Sequence, residues 1–415
     1  WTEEFPIPYL WNFLQTKARE LWSRGTAMSD LQDRDKNYVA GTYSRFPVEI
    51  VKGKGSLLYD GDGSQYIDMG TGIAVNTFGA CDGIWAEAVK AQLDRVQHVS
   101  NTFYSYPCVE LAELLCKATG MRKVFFGNSG AEANECAIKV ARKYAAERHG
   151  GDCYNIITLK NSFHGRSITT LAATGQDVFH KNFQPLTPGF AYADANDLQS
   201  VKDLASKFKT AAVMIECVQG EGGVLPLEES FVKGLYNFCV EKDILLIVDE
   251  VQTGNGRTGK LYAYMNYGIQ PDLVTTAKGL GGGLPIGACI FGGKVKDVLS
   301  YGDHGSTFGG NPIAAAGAVS IIKRLDESVF DGVIKRSNYI FENLSGADGI
   351  VSVNGMGLMI GIQTEKPAKQ VVTECIGRGV LCLTAKDRVR LLPALNIPFN
   401  LLEKAIEIIK QVCAR

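Results

Sequence analysis

Short apolar runs recur along the middle of the chain and are separated by segments of helical length. The runs carry few polar residues, which is typical of strands buried on both faces. They occupy 124–126, 155–159, 212–216, 245–249, 273–276 and 288–291. Because strands alternating with helices are characteristic of α/β proteins, we expect a mainly parallel sheet wrapped by helices between about Gly72 and Gly310.

The two flanks of this region follow other patterns. Alternation at 48–51 and 56–59, with the turn sequence DGDG at 60–63, predicts a hairpin. After the Asn311-Pro312 pair an alanine-rich helix begins, and alternating strands and helices follow. The chain then ends in apolar residues at helical spacing over 400–412.

Composition limits the function without specifying it. The 415 residues are 46% hydrophobic and 21% charged with a net charge of −1, as in a globular chain of two or three domains. This near-neutral balance gives no footprint for nucleic acid, and no apolar run is long enough to span a membrane. The eleven cysteines form no CxxC pair, so we expect reduced thiols and a cytoplasmic protein.

The first candidate for chemistry is a lysine at the end of an apolar run. Lys278 follows the run at 273–276 and precedes the glycine-rich sequence 279–283. Glycines let a bulky planar group approach the backbone, and a lysine amine can form a Schiff base with an aldehyde. The competing interpretation is a solvated surface lysine in a glycine-rich turn.

A carboxylate at the end of the preceding run favours the chemical interpretation. Asp249 closes the run at 245–249, and the carboxyl ends of parallel strands line one crevice, so Asp249 and Lys278 can face one pocket. A pyridoxal phosphate enzyme needs this pair. Its lysine holds the aldehyde, and its carboxylate keeps the pyridine nitrogen protonated.

A phosphate site is the third candidate. A short strand at 123–126 leads into the loop Gly127-Asn128-Ser129-Gly130, and a helix is predicted from Ala131 to about 147. Ser129 and Glu132 have the spacing of a capping box. A helix start behind such a loop offers free N–H groups that suit a phosphate.

Seven strings resemble the class III, or ω-type, pyridoxal phosphate aminotransferases, with most likeness to the acetylornithine aminotransferases. The likeness covers roughly 37–402 in order. The strings are FFGNSGAEANE, NSFHGR, IECVQGEGG, LLIVDEVQTGNGRTGKL, LVTTAKGLGGGLPIGA, DHGSTFGGNP and GMGLMIGIQ. The resemblance implies the pyridoxal-phosphate-dependent transferase fold type I. It implies a large cofactor-binding domain at 72–311, a small α+β domain from 37–71 and 312–415, and an N-terminal extension of uncertain status at 1–36. It leaves open whether the residues before Met28 are native.

The resemblance also implies cofactor-binding residues beyond Lys278 and Asp249. Ser129, Gly130 and Ala131 would hold the phosphate, and Gln252 would bond near the ring hydroxyl. Phe163 would lie against the cofactor ring, and core packing is the alternative interpretation. Thr307 would reach the phosphate of the neighbouring subunit, and Ser306 would bind substrate. The resemblance therefore implies a homodimer with active sites at its interface.

Substrate choice, by the same resemblance, depends on three charged residues and a glycine. Arg166 and Arg390 match the two carboxylate-binding arginines, since a guanidinium binds a carboxylate by a two-point fork. Glu221 matches the carboxylate that covers the second arginine, and a static ion pair is the alternative. Gly72 stands near the position of a bulky tyrosine in ornithine aminotransferases, which leaves room for an N-acetyl group.

The activity implied is transamination of N2-acetylornithine with 2-oxoglutarate, a step of arginine biosynthesis. Succinylornithine, ornithine and 4-aminobutyrate aminotransferases are alternatives on the same fold. A different class is suggested only by the sequence 254–261, which matches the P-loop pattern GxxxxGK of ATPases. Leu261 stands there where a Ser or Thr must bind magnesium, so we regard the match as accidental.

Overall fold

The computed structural model describes residues 28–414, with the backbone alone at 28 and 29. Most of the predicted extension at 1–36, and with it the question of a start at Met28, lies outside the described residues. From Met28 onward a helix runs to Tyr38, and interleaved strands and helices follow.

The strands are short. They are β1 (Lys52–Lys54), β2 (Leu57–Tyr59), β3 (Gln65–Asp68), β4 (Lys123–Gly127), β5 (Asn155–Leu159), β6 (Phe190–Ala193), β7 (Thr210–Ile215), β8 (Val218–Gln219), β9 (Leu225–Pro226), β10 (Leu245–Asp249), β11 (Leu273–Thr276), β12 (Gly287–Phe291), β13 (Ile350–Met356), β14 (Met359–Thr364), β15 (Val380–Leu381), β16 (Leu383–Ala385) and β17 (Arg388–Leu391).

The helices surround these strands. They are α1 (Met28–Tyr38), α2 (Gly83–Leu93), α3 (Tyr106–Thr119), α4 (Gly130–His149), α5 (Ile168–Ala173), α6 (Asp177–His180), α7 (Leu198–Lys207), α8 (Glu229–Lys242), α9 (Pro312–Ile322), α10 (Glu327–Leu344), α11 (Ala368–Gly377) and α12 (Phe399–Cys413). A kinked helical turn spans Thr71–Ala74, and 3-10 turns span Ala263–Tyr267 and Lys278–Leu280.

A seven-stranded sheet carries most of the predicted apolar runs. Its strand order is β4-β12-β11-β10-β7-β5-β6. Strand β12 runs in the direction opposite to the other six strands, and all pairs that do not involve β12 are parallel. Strands β7, β10, β11 and β12 are buried along their whole length, which explains their uninterrupted apolar sequences. Strand β6 was not among the predicted runs, because this edge strand is only partly buried.

The pairing of β10 with β11 aligns the two predicted catalytic residues. The strands are parallel, and Asp249 lies opposite Thr275. The carboxyl ends of both strands therefore lie at one edge of the sheet. Lys278 is the second residue after the end of β11, so it lies at this edge too. This edge is where the sequence placed the ligand crevice.

The C-terminal third surrounds a second core. The sheet β13-β14-β17-β16 packs against α10, α11 and α12, and this core also takes in Ile67 and Met69 from the N-terminal side. A second four-stranded sheet has the order β1-β2-β3-β15, so it joins the N-terminal strands to a C-terminal strand. Helix α9 instead packs in the core of the large sheet, through Ala315 and Ala318. The domain boundaries given above stay a prediction.

Two local predictions can be compared with the structure. Strands β2 and β3 form the predicted hairpin around 60–63, but its partner β1 begins at Lys52, and 48–51 is not a strand. The P-loop-like sequence 254–261 forms a loop followed by a 3-10 turn, and not the helix that a P-loop requires. Arg257 of this loop is buried and donates to the carbonyls of Leu358 and Pro393. The loop is therefore packed against the C-terminal part of the chain.

Candidate active site

A cavity of about 500 Å³ lies at the carboxyl edge of the large sheet. It is bounded by the ends of β10 and β11, by the start of α4 and by the segment 163–166. The predicted residues on its wall are Ser129, Gly130, Ala131, Phe163, Arg166, Asp249, Gln252 and Lys278. The sheet topology thus brings together residues that are up to 149 positions apart, from Ser129 to Lys278.

Lys278 starts a 3-10 turn immediately behind the sheet. Its φ of 47° is in the left-handed region, a conformation that non-glycine residues rarely adopt outside constrained sites. Burial lowers the pKa of the Lys278 amine. The charge of Arg390 lowers this pKa further, whereas the charges of Glu221 and Asp249 act to raise it. A lowered pKa favours the neutral amine, the form that acts as nucleophile or base.

Asp249 is held by three polar neighbours in an almost closed environment, with 4% of its surface exposed. Its Oδ2 accepts from Asn134 Nδ2 at 2.8 Å and lies 2.8 Å from His164 Nδ1. Its Oδ1 accepts from the Val251 N–H at 3.0 Å. These contacts fix the orientation of a carboxylate that faces the cavity.

Three supporting residues were missed in the sequence. Asn134 lies on α4 and is fixed in orientation because its Oδ1 accepts from Thr275 Oγ1 at 2.6 Å. His164 is 2% exposed, and its Nε2 has no partner among the described residues. Glu216 follows the end of β7 by one residue, and the rule that selected Asp249 at a strand end would also have selected Glu216.

Glu216 is a second buried carboxyl beside Asp249. It accepts from the Phe163 N–H at 2.8 Å and from the Gly220 N–H at 3.2 Å. Burial raises the pKa of Glu216 to about 7, with a further upward effect from the Asp249 charge and a downward one from His164. Glu216 therefore joins two segments of the cavity wall, and near neutrality it is often protonated.

The start of α4 forms the predicted phosphate end of the cavity. Ser129 caps the helix, because its Oγ accepts from the Glu132 N–H at 3.2 Å. Glu132 reaches back to the N–H of Asn128, one residue before the position that a capping box would use. The N–H groups of Gly130 and Ala131 lie in the first turn, where a helix supplies no partner for them.

Gly130 is also needed for close packing at this end. A Cβ at Gly130 would lie 2.6 Å from Val251 Cγ1, which is closer than real Cβ contacts allow. The backbone of the helix start is therefore pressed against the segment that follows Asp249. This contact brings the anion-binding end and the carboxylate end into one cavity.

Phe163 and Arg166 form the outer wall. The Phe163 ring meets Phe179 edge to face with centroids 5.8 Å apart. The Arg166 guanidinium carbon lies 4.0 Å from the Phe179 centroid and 5.4 Å from that of Phe163. Within residues 28–414 no carboxylate pairs with Arg166, so its guanidinium is available to bind an incoming carboxylate.

Glu221 and Arg390 form an ion pair, as the resemblance implies. Glu221 Oε1 lies 2.5 Å from Arg390 Nη1, with 28% and 3% of the respective side chains exposed. Burial acts against ionisation of Glu221, but the Arg390 charge holds the pKa of Glu221 below its ordinary value. Neither residue lines the cavity directly; Gln252, which does, contacts both.

Ser306 and Thr307 lie outside the cavity of their own subunit. Ser306 Oγ accepts from Asn128 Nδ2 at 3.2 Å and from the Gly309 N–H at 3.0 Å, while Thr307 is exposed. The reach of Thr307 across an interface and the binding of substrate by Ser306 stay predictions. Gly72 has a φ of 64° in the Thr71–Ala74 turn, and among the described residues a Cβ there would meet only Val75.

The cavity has the parts that pyridoxal phosphate requires. Free N–H groups stand at the phosphate end, Phe163 offers an apolar face, Asp249 supplies a carboxyl group and Lys278 an amine whose pKa is lowered by burial. The described residues contain no group of three or more metal-ligating side chains that could hold a metal ion. Among them there is also no helix with the length and apolar character needed to cross a bilayer.

Comparisons with known proteins agree with this geometry. The family described as Aminotransferase class-III matches residues 38–413. The acetylornithine aminotransferase of Haemophilus ducreyi is 45% identical over 384 residues, 92% of this chain and 98% of that protein. The succinylornithine transaminase of Citrobacter koseri is 42% identical over 381 residues, 89% of this chain and 94% of that protein. The structure of N-acetylornithine aminotransferase from Stenotrophomonas maltophilia gives a TM-score of 0.79 at 34% identity, covering 92% and 97% of the two chains. The predicted fold class is thereby confirmed.

Proposed function

The chain belongs to the class-III aminotransferase family, and we propose that it transfers the δ-amino group of N2-acetylornithine to 2-oxoglutarate. The products are N-acetylglutamate 5-semialdehyde and glutamate. The enzyme is an aminotransferase with pyridoxal phosphate as cofactor. When bound, the cofactor supplies an aldehyde that takes up the amino group and a conjugated ring that accepts an electron pair.

We assign the cavity residues roles that their positions support. Asp249 would keep a proton on the ring nitrogen of the cofactor, and Asn134 and His164, which contact Asp249, would orient its carboxyl group. Lys278 Nζ accepts the proton that the δ-carbon of the donor loses, since its lowered pKa favours the neutral amine. The first turn of α4, at Ser129, Gly130 and Ala131, binds the phosphate.

Binding of two different amino donors is the main demand on the site. An ω-amine donor presents its far end to the lysine, whereas glutamate presents its α end. In our proposal the closed Glu221–Arg390 pair leaves Arg166 to bind the α-carboxylate of acetylornithine. When Glu221 moves away, Arg390 is free to bind glutamate.

The observation that carries this proposal is the contrast between the two arginines. Arg390 is buried behind the cavity lining and paired with Glu221 at 2.5 Å, whereas Arg166 lines the cavity and has no carboxylate partner among the described residues. One carboxylate site is thus available and the other is covered. This is the arrangement that a donor with a single carboxylate and a distant amine needs.

We propose a homodimer as the working unit. Large apolar side chains are exposed beside the segment that carries Ser306 and Thr307. They are Phe103 (69%), Tyr104 (100%), Tyr106 (77%), Val109 (56%) and Phe308 (58%). Asn101 ties this surface to the segment by donating to the carbonyls of Ser306 and Gly309. An apolar patch of this kind is typical of a protein interface.

A reducing compartment suits the chain, and we propose the cytoplasm. All eleven cysteines are free thiols in the structure, and eight of them are buried. A protein with a core of this size needs no disulfide for stability, and free thiols persist in a reducing compartment.

The competing substrate is the succinylated amine, because the Citrobacter koseri relative is nearly as similar as the Haemophilus ducreyi one. The test is kcat/KM on a panel of N2-acetylornithine, N2-succinylornithine, ornithine and 4-aminobutyrate with 2-oxoglutarate. We expect N2-acetylornithine to give the highest value. A higher kcat/KM for any other donor would replace the proposed substrate, and no transfer from any of the four would overturn the proposal.

A further inference from the structure

The Glu221–Arg390 pair has a third member, Gln252. Its Oε1 lies 3.2 Å from Arg390 Nη1, and its Nε2 lies 3.4 Å from Glu221 Oε1. We propose that Gln252 is a specificity-determining positioning residue that stabilises the closed form of the pair and so sets the balance between the two half-reactions. This inference rests on the proposed function.

The amide of Gln252 matches the pair in charge. Its carbonyl oxygen faces the cation and its NH₂ group faces the anion. The opposite orientation would place a donor against the Arg390 guanidinium, which has no acceptor, and an acceptor against the Glu221 carboxylate. The two charges therefore fix the amide in one orientation, and the amide in turn holds the two charges together.

The two members of the pair differ in their freedom to move. Arg390 is 3% exposed by side chain. Its Nη1 donates to Glu221 Oε1 and to Gln252 Oε1, and its Nε has no partner among the described residues. Glu221 is 28% exposed and is the member that can move toward solvent. Opening the pair therefore means that Glu221 leaves while Arg390 stays.

Gln252 acts differently on the open and closed forms. Its Oε1 can accept the hydrogen bond from Arg390 Nη1 in both forms, because neither group has to move. Its Nε2 can donate to Glu221 Oε1 in the closed form alone. The amide thus favours closure, and because it is neutral it does not block Arg390 from binding a substrate carboxylate.

Gly220 provides the space in which this amide lies. A Cβ at Gly220 would be 2.6 Å from Gln252 Oε1 and 2.8 Å from its Nε2. The φ of Gly220 is not in the left-handed region, so the backbone accepts alanine there. Gly220→Ala would therefore displace the amide while leaving the residue in place, which gives a second and independent perturbation.

A role toward the cofactor makes a different prediction. Gln252 also lines the cavity, and a contact that served only the ring would affect both half-reactions alike. A role in the pair changes the ratio of the two half-reactions. The ratio therefore separates the two roles.

The experiment measures single-turnover rates of the holoenzyme with N2-acetylornithine and with glutamate, together with the dissociation constant of pyridoxal phosphate. In Gln252→Met we expect the ratio of the glutamate rate to the acetylornithine rate to rise about tenfold or more, as loss of one hydrogen bond to a charged group implies. Gly220→Ala should shift the ratio in the same direction. In a Glu221→Gln background, Gln252→Met should leave the ratio unchanged, because the residue it acts through has been altered.

The matched control is Gln176→Met. Gln176 is buried to the same degree, 8% exposed against 7% for Gln252, but donates to the carbonyls of Asn161 and Ser162 and not to the pair. This variant should keep the wild-type ratio. An unchanged ratio in Gln252→Met, an equal loss with both donors, or a shift that persists in the Glu221→Gln background would each overturn the inference.

Failure of the proposed function gives a separate result. If the wild-type enzyme releases no product from N2-acetylornithine, the proposed substrate is wrong. The ratio is then measured with whichever of the other ω-amines the wild type accepts. The inference about Gln252 stands or falls on that ratio, since it concerns the covering of Arg390 and not the acyl group.

Discussion

Replacing Asp249 with asparagine tests the most buried part of the proposed chemistry. The substitution removes one negative charge and changes the shape of the side chain little. It also removes acceptor capacity, because an amide has one acceptor oxygen where the carboxylate has two. The structure shows what each orientation of the new amide would meet.

Both orientations place a donor against a donor. Oδ1 of Asp249 faces the Val251 N–H, and Oδ2 faces the Asn134 NH₂ group. That NH₂ group cannot rotate away easily, since Asn134 Oδ1 already accepts from Thr275 Oγ1. An NH₂ at either position leaves one buried donor without an acceptor, which costs about 1–3 kcal/mol of stability.

The effect on catalysis should be larger than the effect on folding. Two opposite unit charges in contact attract by about 4 kcal/mol at an effective dielectric constant of about 20. If Asp249 stabilises the protonated ring by this amount, its loss slows each half-reaction by about a thousandfold, since about 1.4 kcal/mol corresponds to tenfold. Cofactor should remain bound, because the phosphate end of the cavity is untouched.

The neighbouring carboxylate supplies a matched control. Glu250 is also fully buried, but it accepts from Thr253 Oγ1 and from the Ala263 and Tyr264 N–H groups, away from the cavity. Stopped-flow half-reactions should show a loss of about a thousandfold for Asp249→Asn and less than about threefold for Glu250→Gln. Half-reaction rates within tenfold of wild type in Asp249→Asn would refute the role assigned to its charge.

Three further outcomes are expected. Lys278→Ala should stay folded and bind cofactor without covalent attachment, with turnover almost abolished; an unchanged cofactor absorbance after dialysis would remove Lys278 from its role. Burial raises the pKa of Glu250 to about 7, so the stability it contributes in its protonated form is complete below about pH 4.5 and is lost as pH rises through about 7. In urea unfolding, the free energy of unfolding of Glu250→Gln should therefore rise relative to that of wild type by about 3 kcal/mol between pH 4.5 and 8. A difference between the two proteins that stays constant with pH would contradict this. Gly165 has a φ of 145°, and a Cβ there would lie 2.4 Å from Thr170 Oγ1, so Gly165→Ala should lower stability by about 2 kcal/mol or more in thermal unfolding. Gly151→Ala is its control, because no atom of the described residues would lie within 4 Å of a Cβ there, and equal melting temperatures for the two variants would disprove the steric argument.

The sequence predicted the large sheet well because its strands are buried on both faces. An uninterrupted apolar run has few alternatives when turn residues bound it, and β5, β10 and β11 have the predicted bounds. The edge strand β6 and the hairpin partner β1 were harder to predict. Their residues are partly exposed, so neither a continuous run nor a clean alternation marks them.

Candidate site residues were predicted where chain topology alone brings them together. Asp249 and Lys278 follow consecutive strands of the same sheet, and that relation is visible in the sequence. Asn134 and His164 contact Asp249 from a helix and a loop. Their contact with it depends on how α4 crosses the sheet, and sequence spacing does not determine that angle. Gln252 was assigned to the cofactor's ring hydroxyl from the family resemblance, and its contact with the ion pair was not predicted.

The two carboxyl groups beside each other in the cavity wall differ in what holds them. Asp249 accepts from Asn134 Nδ2 and from the Val251 N–H, and it lies 2.8 Å from His164 Nδ1. Glu216 accepts from two backbone N–H groups but is fully enclosed, and its pKa of about 7 leaves it protonated over much of the range below neutrality. A protonated Glu216 spares Asp249 the repulsion of a second negative charge. In the proposed mechanism the charge that the ring nitrogen requires lies at the end of β10, while Glu216 holds Phe163 and Gly220 in place through hydrogen bonds.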